Sequence, residues 1–357
     1  SGRRKICFRM SAVMIKLIFI VVVFGVSLFV AMYSTYAERK IAAFLQDRLG
    51  PNRAGPFGIL QPFADGIKLF FKEEFIPLKA DRWLFLMGPG FFMITALMTS
   101  AVIPWGDKLH LFGRDIILQA TDIDVALLYI FGVISVGVYG IMIGGWASNN
   151  KFSLMGAVRA ASQMVSYEVA MGLSIIALLM MTGTLSLREI AAQQPGMHWN
   201  VFYQPLSFLI FLICAFAETN RTPFDLAECE SELIGGYHTE YSSMKMGFYL
   251  FAEYANMFIS STILAVLFFG GYNYPGMGWA LENWGVNAAN VIGIFVLFAK
   301  ICGFIFFYMW VRWTIPRFRY DQLMHLGWRI LIPLSIANIV ITGIVLLRHE
   351  IAALLGM

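Results

Sequence analysis

Charged residues are scarce in this chain of 357 residues: they make up 13% of it, while hydrophobic residues make up 59%. Soluble domains carry roughly 25% charged residues, and the mean hydropathy of this chain is +0.71. This shortage of charge excludes an ordinary water-soluble domain and indicates a polytopic membrane protein. The net charge of +4 gives no indication of a nucleic-acid partner, and we expect the basic residues to set the topology instead.

Signatures of bound cofactors are missing as well. The four cysteines match no iron–sulfur or zinc spacing, and they are Cys7, Cys214, Cys229 and Cys302. The five histidines include no pair four residues apart, and neither a phosphate-binding loop nor a dinucleotide fingerprint occurs. We therefore predict no metal site and no redox cofactor in this chain, so that any electron chemistry requires partner subunits. The cysteines are predicted to be buried thiols in apolar helices.

Eight apolar runs are long enough to cross a membrane as helices, which takes about 20 residues. They cover residues 11–36, 83–105, 125–147, 154–181, 201–217, 246–271, 288–311 and 326–347. The first run is longer than a signal-peptide core, and no A-x-A-like cleavage site follows it, so we predict a retained helix. Residues ahead of Met10 or Met14 are assigned to processing or to an upstream start. The pattern predicts an all-α fold in one integral membrane domain, residues 1–357.

Lysine and arginine are unevenly distributed between the loops. The loops after the first, third, fifth and seventh runs hold most of them, whereas the opposite loops hold only Lys108, Arg114 and Arg188. By the positive-inside rule, we predict that the first set of loops is cytoplasmic. The even number of runs then puts both termini on the opposite side, although the N-terminus is basic. No two halves of the chain have matching hydropathy, so an inverted-repeat transporter has no support.

The loop at residues 38–82 has an amphipathic stretch. Apolar residues recur there near helical spacing, with charged residues between them, and they are Phe63, Ile67, Phe70, Phe71 and Phe75. This pattern predicts a helix that lies in the plane of the membrane surface. Two interpretations are open: a surface helix with only a packing role, or a lateral wall where a lipid-like ligand enters.

Acidic residues cluster in a second predicted cytoplasmic loop, residues 218–245, directly after an apolar run. In addition, Glu168, Glu253 and Lys300 lie within apolar runs, where each charge costs about 2.5–3.5 kcal/mol to insert. These side chains must therefore face protein, a partner or water. They could be paired ions that fix the helix packing. Proton conduction through a hydrated path is favoured, because acids outnumber bases near the fifth and sixth runs.

A set of motifs occurs in a fixed order along almost the whole chain. It begins with Ala-Glu-Arg-Lys at residues 37–40 and ends with Pro-Arg-Phe-Arg-Tyr-Asp-Gln-Leu-Met at residues 316–324. Between them lie the segments 47–56, 60–68, 146–151, 156–159, 166–168, 217–225, 235–241 and 251–254. In these motifs the chain resembles the membrane-embedded H subunit of the respiratory NADH–quinone oxidoreductase, complex I; the mitochondrial members of this family are called NADH dehydrogenase subunit 1.

The resemblance implies an eight-helix subunit at the joint between a membrane arm and a hydrophilic arm. Quinone would enter between the first helix, the interfacial helix and the sixth helix. The residues that match the quinone chamber are Glu38, Arg39, Arg48, Arg53, Asp65, Lys68, Phe224 and Glu228. The residues that match an acidic proton path are Glu168, Glu218, Asp225, Glu228, Glu230, Glu232 and Glu253.

The predicted function is that of a non-redox membrane subunit of a proton-pumping NADH–quinone oxidoreductase in a bacterial inner membrane. Quinone is the substrate, while NADH, FMN and the iron–sulfur clusters belong to partner subunits. The predicted partners are hydrophilic iron–sulfur subunits, antiporter-like membrane subunits and membrane lipids. Two alternatives stay open: a subunit of an energy-converting hydrogenase, which would copurify with a nickel–iron subunit, and a stand-alone ion transporter. The quinone type, the electron donor and the proton stoichiometry stay open too.

Overall fold

The structure is a computed structural model that describes residues 2–111, 114–227 and 233–354. The described chain is mostly helical, with a single short β-hairpin among the described residues, which confirms the predicted all-α class. The helices are α1 (Gly2–Leu45), α2 (Gln61–Phe71), α3 (Arg82–Ser100), α4 (Ala126–Ala147), α5 (Lys151–Thr182), α6 (Leu187–Ala192), α7 (Asn200–Tyr203), α8 (Pro205–Glu218), α9 (Ser243–Phe268), α10 (Met277–Thr314), α11 (Tyr320–His325) and α12 (Ile332–Leu354). A π-helical turn, Leu326–Leu331, joins α11 to α12.

Seven helices of the described chain are long and apolar enough to cross a membrane. They correspond to all the predicted runs except the fifth, residues 201–217. There the structure has α8, which has 14 residues and is about 21 Å long at 1.5 Å per residue. The hydrocarbon core of a bilayer is about 30 Å thick, so α8 does not cross it alone. The predicted run is divided before Pro205, because proline disfavours a helical conformation of the residue that precedes it, here Gln204. Residues 219–227, which follow α8, form a buried irregular segment, which a membrane protein tolerates inside its own interior.

The amphipathic helix is confirmed as α2. It has a proline in its first turn, where the missing N–H costs nothing. Its apolar side chains Phe63, Ile67 and Phe70 are exposed, so this face points away from the described protein. The opposite side lies against α9, where Ser243 Oγ donates to the Leu69 carbonyl at 3.0 Å. Location of α2 at the membrane surface stays a prediction.

Helices α3 and α4 approach each other closely along a seam of glycines. A Cβ atom at Gly140 would lie 2.8 Å from the Phe92 nitrogen, and one at Gly144 would lie 1.9 Å from Tyr249 Oη. Small residues of this kind allow membrane helices to pack backbone against backbone. The seam also leaves room for the Tyr249 hydroxyl, which donates to the Gly140 carbonyl at 3.1 Å.

Lys300, a charge within an apolar run, contacts the end of a neighbouring helix. Its ammonium group donates to the carbonyls of Phe269, Gly271 and Asn273 at 2.7, 2.8 and 2.7 Å. These carbonyls follow the C-terminus of α9, which carries the negative end of the helix dipole. Lys300 therefore has the structural role that the paired-charge interpretation foresees, with backbone carbonyls rather than an acid as its partners.

The cysteines with described side chains differ in burial. Cys214, on α8, is buried as predicted, whereas Cys302, on α10, is exposed. The prediction was wrong for Cys302 because its face of α10 points away from the rest of the described chain, as the exposed Phe295 and Phe306 also do. Cys7 and Cys229 lie outside the described side chains.

The loop between the second and third spans contains a hairpin that was not predicted. Its strands are β1 (Lys108–Leu111) and β2 (Arg114–Ile117), paired antiparallel. Asn287 of α10 binds the backbone of His110 through both its oxygen, at 2.7 Å, and its nitrogen, at 2.8 Å. Beside the hairpin, Arg188 pairs with Asp107 at 2.6 Å. Burial alone would lower the pKa of Arg188, but Asp107 raises it overall.

Candidate functional site

Four charged side chains meet inside the helix bundle and form the buried ion cluster: Glu38, Arg221, Glu253 and Arg312. Arg312 Nη1 lies 2.6 Å from Glu38 Oε1, and Arg221 Nη1 lies 3.5 Å from Glu38 Oε2. Arg221 Nη2 also lies 3.8 Å from Glu253 Oε2. Glu38, Arg221 and Glu253 are only 6%, 5% and 3% exposed. Buried charges of this kind are tolerated when they pair, so the cluster depends on all its members.

Two tyrosines donate hydrogen bonds to the acids in the cluster. Tyr254 Oη donates to Glu38 Oε2 at 2.9 Å, and Tyr237 Oη donates to Glu253 Oε1 at 2.8 Å. The Arg221 guanidinium lies over the Tyr254 ring, 4.2 Å from its centroid, in cation–π geometry. Each acid therefore accepts from a neutral hydroxyl and faces a cation.

Arg221 reaches the cluster because the segment after α8 turns back into the protein. Gln163 of α5 holds this segment: its Nε2 donates to the carbonyls of Ala217 at 2.8 Å and Phe224 at 2.7 Å. The Thr222–Pro223 peptide bond in the segment is cis. A mid-span glutamine thus joins the last turn of α8 to the irregular segment that follows it.

Further along the same segment, Asp225 and Phe224 are both buried. Asp225 Oδ2 lies 3.3 Å from Arg317 Nη2. Phe224 packs between Tyr167 and Phe318, with ring centroids 5.5 Å away on each side. Asp225, predicted for the proton path, is therefore ion-paired, and Phe224 packs between two aromatic rings while its predicted place in the quinone chamber stays a prediction.

Glu168 and Glu218 form a second acidic site. Glu168 is half-buried and accepts a hydrogen bond from Ser135 of α4. It faces a cleft of about 310 Å³ between α4 and α5, otherwise lined by apolar side chains and Gly172. Glu218 is buried, its Oε2 has no hydrogen-bond partner within the described ranges, and its carboxyl group is close enough to interact electrostatically with Glu168. The two acids can therefore influence one another's protonation.

The predicted quinone-chamber residues are only partly brought together. Arg39 Nη1 lies 2.6 Å from Asp65 Oδ2, at a groove of about 90 Å³ between α1, α2 and α9. Arg48, Arg53 and Lys68 are exposed, and Arg48 Nε donates to Gln46 Oε1 at 2.8 Å. Among the described residues, neither a hydrogen bond nor an ion pair joins these three bases to the groove.

Three predicted acids, Glu228, Glu230 and Glu232, lie outside the described residues. Conversely, the sequence patterns did not single out Arg221, Arg312, Tyr237 or Tyr254 as site residues. The two arginines lie near the ends of apolar runs, where a basic residue indicates topology first of all. The sequence feature that could have identified Arg221 as a site residue is its position within the acidic motif at residues 217–225. Across the described ranges, no three His, Cys, Asp or Glu side chains converge as a metal site requires.

Comparisons with known proteins agree with the motifs. The family model for NADH dehydrogenase matches residues 16–343. The chain is 80% identical over 341 residues to the NADH-quinone oxidoreductase H subunit of Flavobacterium johnsoniae, covering 96% of this chain and 97% of that protein. It is 81% identical over 335 residues to the H subunit of Flavobacterium psychrophilum, covering 94% and 98%. It is 47% identical over 329 residues to an H subunit of Geobacter metallireducens, covering 92% and 95%.

Proposed function

Since the chain belongs to the NADH dehydrogenase family, among the H subunits of the NADH-quinone oxidoreductases, we propose that it forms part of a quinone chamber and couples quinone reduction to proton translocation. In this proposal it is a non-redox membrane subunit of a bacterial complex I. NADH, FMN and iron–sulfur clusters are held by partner subunits, and the acceptor is a membrane quinone.

One observation carries the proposal: consecutive residues of α1 connect the groove to the buried ion cluster. Arg39 lines the groove with Asp65, while Glu38 pairs with Arg312 and Arg221 inside the bundle. Neighbouring residues on a helix point about 100° apart, so one turn of α1 contacts both sites. A charge change at the groove therefore reaches the cluster through a single helix turn.

Quinone reduction consumes two electrons and two protons, and it changes the local charge while they arrive. In our proposal Glu38 responds by shifting its ion pairs, because the Arg221–Glu38 and Arg221–Glu253 separations of 3.5 and 3.8 Å are longer than a close charge-assisted contact of about 2.7–2.9 Å. Arg221 can then strengthen one pair at the expense of the other. This exchange would alter how readily Glu253 takes up a proton.

The second acidic site is where we propose that the effect of quinone reduction leaves this subunit. Glu218 ends α8, directly before the segment that carries Arg221, and it interacts with Glu168. Glu168 in turn faces the cleft between α4 and α5. We propose that protons or their electrostatic effect pass from the cluster through Glu218 and Glu168 to an antiporter-like neighbour at that cleft. The proposed path also includes Glu228, Glu230 and Glu232, which are assigned to it from the sequence alone.

The test uses the complex purified in mild detergent through a tag on this chain. Iron–sulfur and antiporter-like subunits are expected to copurify, and recovery of the chain alone would contradict the proposal. Glu253→Gln and Glu168→Gln are expected to lower proton-coupled quinone turnover about tenfold or more, as loss of a positioned proton-transfer group does.

The matched control is Glu282→Gln, since Glu282 is exposed at the start of α10, away from the buried acids. Assembly of both site variants is measured beside the control, and turnover is compared per assembled complex, because Glu253→Gln also breaks a buried ion pair. NADH-driven quinone reduction and acidification of proteoliposomes are measured together, which gives the protons moved per electron. Control-like turnover and coupling in both site variants would refute the proposed role of the acids.

A further inference from the structure

Tyr237 is a fully buried residue whose hydroxyl binds an acid of the buried ion cluster. Its Oη lies 2.8 Å from Glu253 Oε1, and Arg221 Nη2 lies 3.8 Å from the other oxygen, Oε2. The two oxygens of the Glu253 carboxyl group thus face different partners, one neutral and one charged. Tyr237 lies in the loop before α9, outside the membrane-spanning segments.

The backbone of Tyr237 is held by a close approach to α5. A Cβ atom on Gly156 would lie 2.8 Å from both the Gly236 Cα and the Tyr237 nitrogen. Real Cβ atoms do not come so near, so the absence of a side chain at position 156 permits this contact. The position of Tyr237 is consequently determined by α5 and not only by its own loop.

The ring of Tyr237 is held by two further tyrosines. Tyr249 packs against it edge-on, with centroids 5.0 Å apart, and Tyr241 packs against Tyr249 in the same way, also at 5.0 Å. Tyr241 Oη donates to the Phe85 carbonyl at 3.1 Å, and burial raises the pKa of Tyr241 to about 12. These neutral hydroxyls attach the Tyr237 ring to the α3–α4 seam.

A tyrosine suits a carboxyl group that changes its protonation state. The hydroxyl donates to the carboxylate, and it can accept from the carboxylic acid after a proton is taken up. The bond between Tyr237 and Glu253 therefore survives both states. An arginine cannot do this, because it is always a donor and loses its charge pairing when the acid becomes neutral.

We propose that Tyr237 is a positioning residue, whose hydroxyl keeps the Glu253 carboxyl group in one orientation while its pairing with Arg221 forms and breaks. The inference rests on the proposed function, since it assigns to Tyr237 a role that works only through Glu253. Without the hydroxyl, the Glu253 carboxyl group would lose the hydrogen bond that orients its Oε1 atom, and proton transfer would slow.

Tyr237→Phe tests this role in the assembled complex. It keeps the ring contacts and removes only the hydroxyl, and we expect about a tenfold loss of coupled turnover, from the loss of one hydrogen bond to a charged group. The matched control is Tyr167→Phe, which removes an equally buried hydroxyl that donates to the Leu323 carbonyl at 2.9 Å. We expect Tyr167→Phe to retain wild-type turnover and protons per electron.

A double-mutant cycle separates positioning from general packing. In a Glu253→Gln background, Tyr237→Phe should cause no further loss, because the group it positions is already gone. Glu253→Asp supplies a second variant: it keeps the charge but shortens the side chain, and it should reproduce the Tyr237→Phe loss. Assembly of each variant is measured on native gels. If either Tyr237→Phe or Glu253→Asp assembles poorly, the other variant still tests the loss of the Tyr237–Glu253 hydrogen bond.

The outcomes are distinct. Equal losses in Tyr237→Phe and Tyr167→Phe, or a full Tyr237→Phe loss in the Glu253→Gln background, would overturn the positioning role. Wild-type behaviour of Tyr237→Phe beside an impaired Glu253→Gln would also overturn it, while the proposed function stands. Wild-type coupling in Glu253→Gln would remove both the proposed role of Glu253 and the inference.

Discussion

At the scale of single residues, the same chemical type has different roles according to its partners. Lys300 and Arg221 are both cations in the apolar interior. Lys300 binds three backbone carbonyls, so its charge is used to complete the end of α9. Arg221 faces two acids at 3.5 and 3.8 Å and is available to exchange partners. The first is a structural cation and the second belongs to the candidate site.

Lys300→Met is expected to destabilise the protein by about 1–3 kcal/mol, because buried carbonyls lose their donor. The midpoint of thermal unfolding of the complex should fall, while protons moved per electron stay unchanged in the molecules that assemble. Lys151→Met, at an exposed lysine of α5, is the control and should leave the midpoint unchanged. Wild-type stability combined with reduced coupling would instead assign Lys300 to the proton path.

At the scale of elements, the α3–α4 seam supports the site from a distance. Its glycines admit the Tyr249 hydroxyl, Tyr249 packs on Tyr237, and Tyr237 binds Glu253. Packed interiors transmit displacements of this kind because they hold few voids. The orientation of one acid in α9 therefore depends on the spacing between two other helices.

Gly144→Ala is expected to disturb this seam, because the new Cβ would lie 1.9 Å from Tyr249 Oη. Overpacking of this kind costs about 1–3 kcal/mol, so less assembled complex and a lower thermal midpoint should result. Tyr249→Phe, combined with Gly144→Ala, removes the clashing atom and should restore part of the loss.

Gly132→Ala provides the control on the same helix, since nothing lies within 4 Å of a Cβ atom at that position. Assembly on native gels and the thermal midpoint are compared for the three variants. Equal stability of Gly144→Ala and Gly132→Ala would contradict the close packing of α4 against Tyr249.

At the scale of the whole molecule, the charged sites share one end of the helix bundle. Glu38, Glu218 and Arg312 lie near the C-terminal ends of α1, α8 and α10, and Glu253 lies in the N-terminal half of α9. Alternating helix directions bring these ends together. This end carries the lysine- and arginine-rich loops, which the positive-inside rule assigns to the cytoplasm.

The proposed sidedness can be measured with single cysteines in a background without the native ones. Lys79→Cys and Glu282→Cys both replace exposed residues, on loops predicted to face opposite sides. A membrane-impermeant maleimide should label Lys79→Cys only in inside-out vesicles and Glu282→Cys only in right-side-out vesicles. The reverse pattern would refute the cytoplasmic assignment of the basic loops.

Composition and periodicity were enough to predict the helical class, seven of the spans and the amphipathic helix α2, because each depends on residues near one another along the chain. The ordered motifs were enough to predict the family. The start of α8 was not predicted, because Pro205 divides the apolar run and leaves residues 200–203 as the separate helix α7.

Which charges meet was decided by tertiary structure alone. The pair Glu38–Arg221 joins residues 183 positions apart, and the bond between Tyr254 and Glu38 joins residues 216 positions apart. Hydropathy marks such residues as costly in a membrane but carries no information about their partners. Only the packing of α1, α9 and α10 around the segment after α8 makes Arg221 and Arg312 part of a site. Only the close approach of Gly156 and the ring of Tyr249 place the Tyr237 hydroxyl beside Glu253.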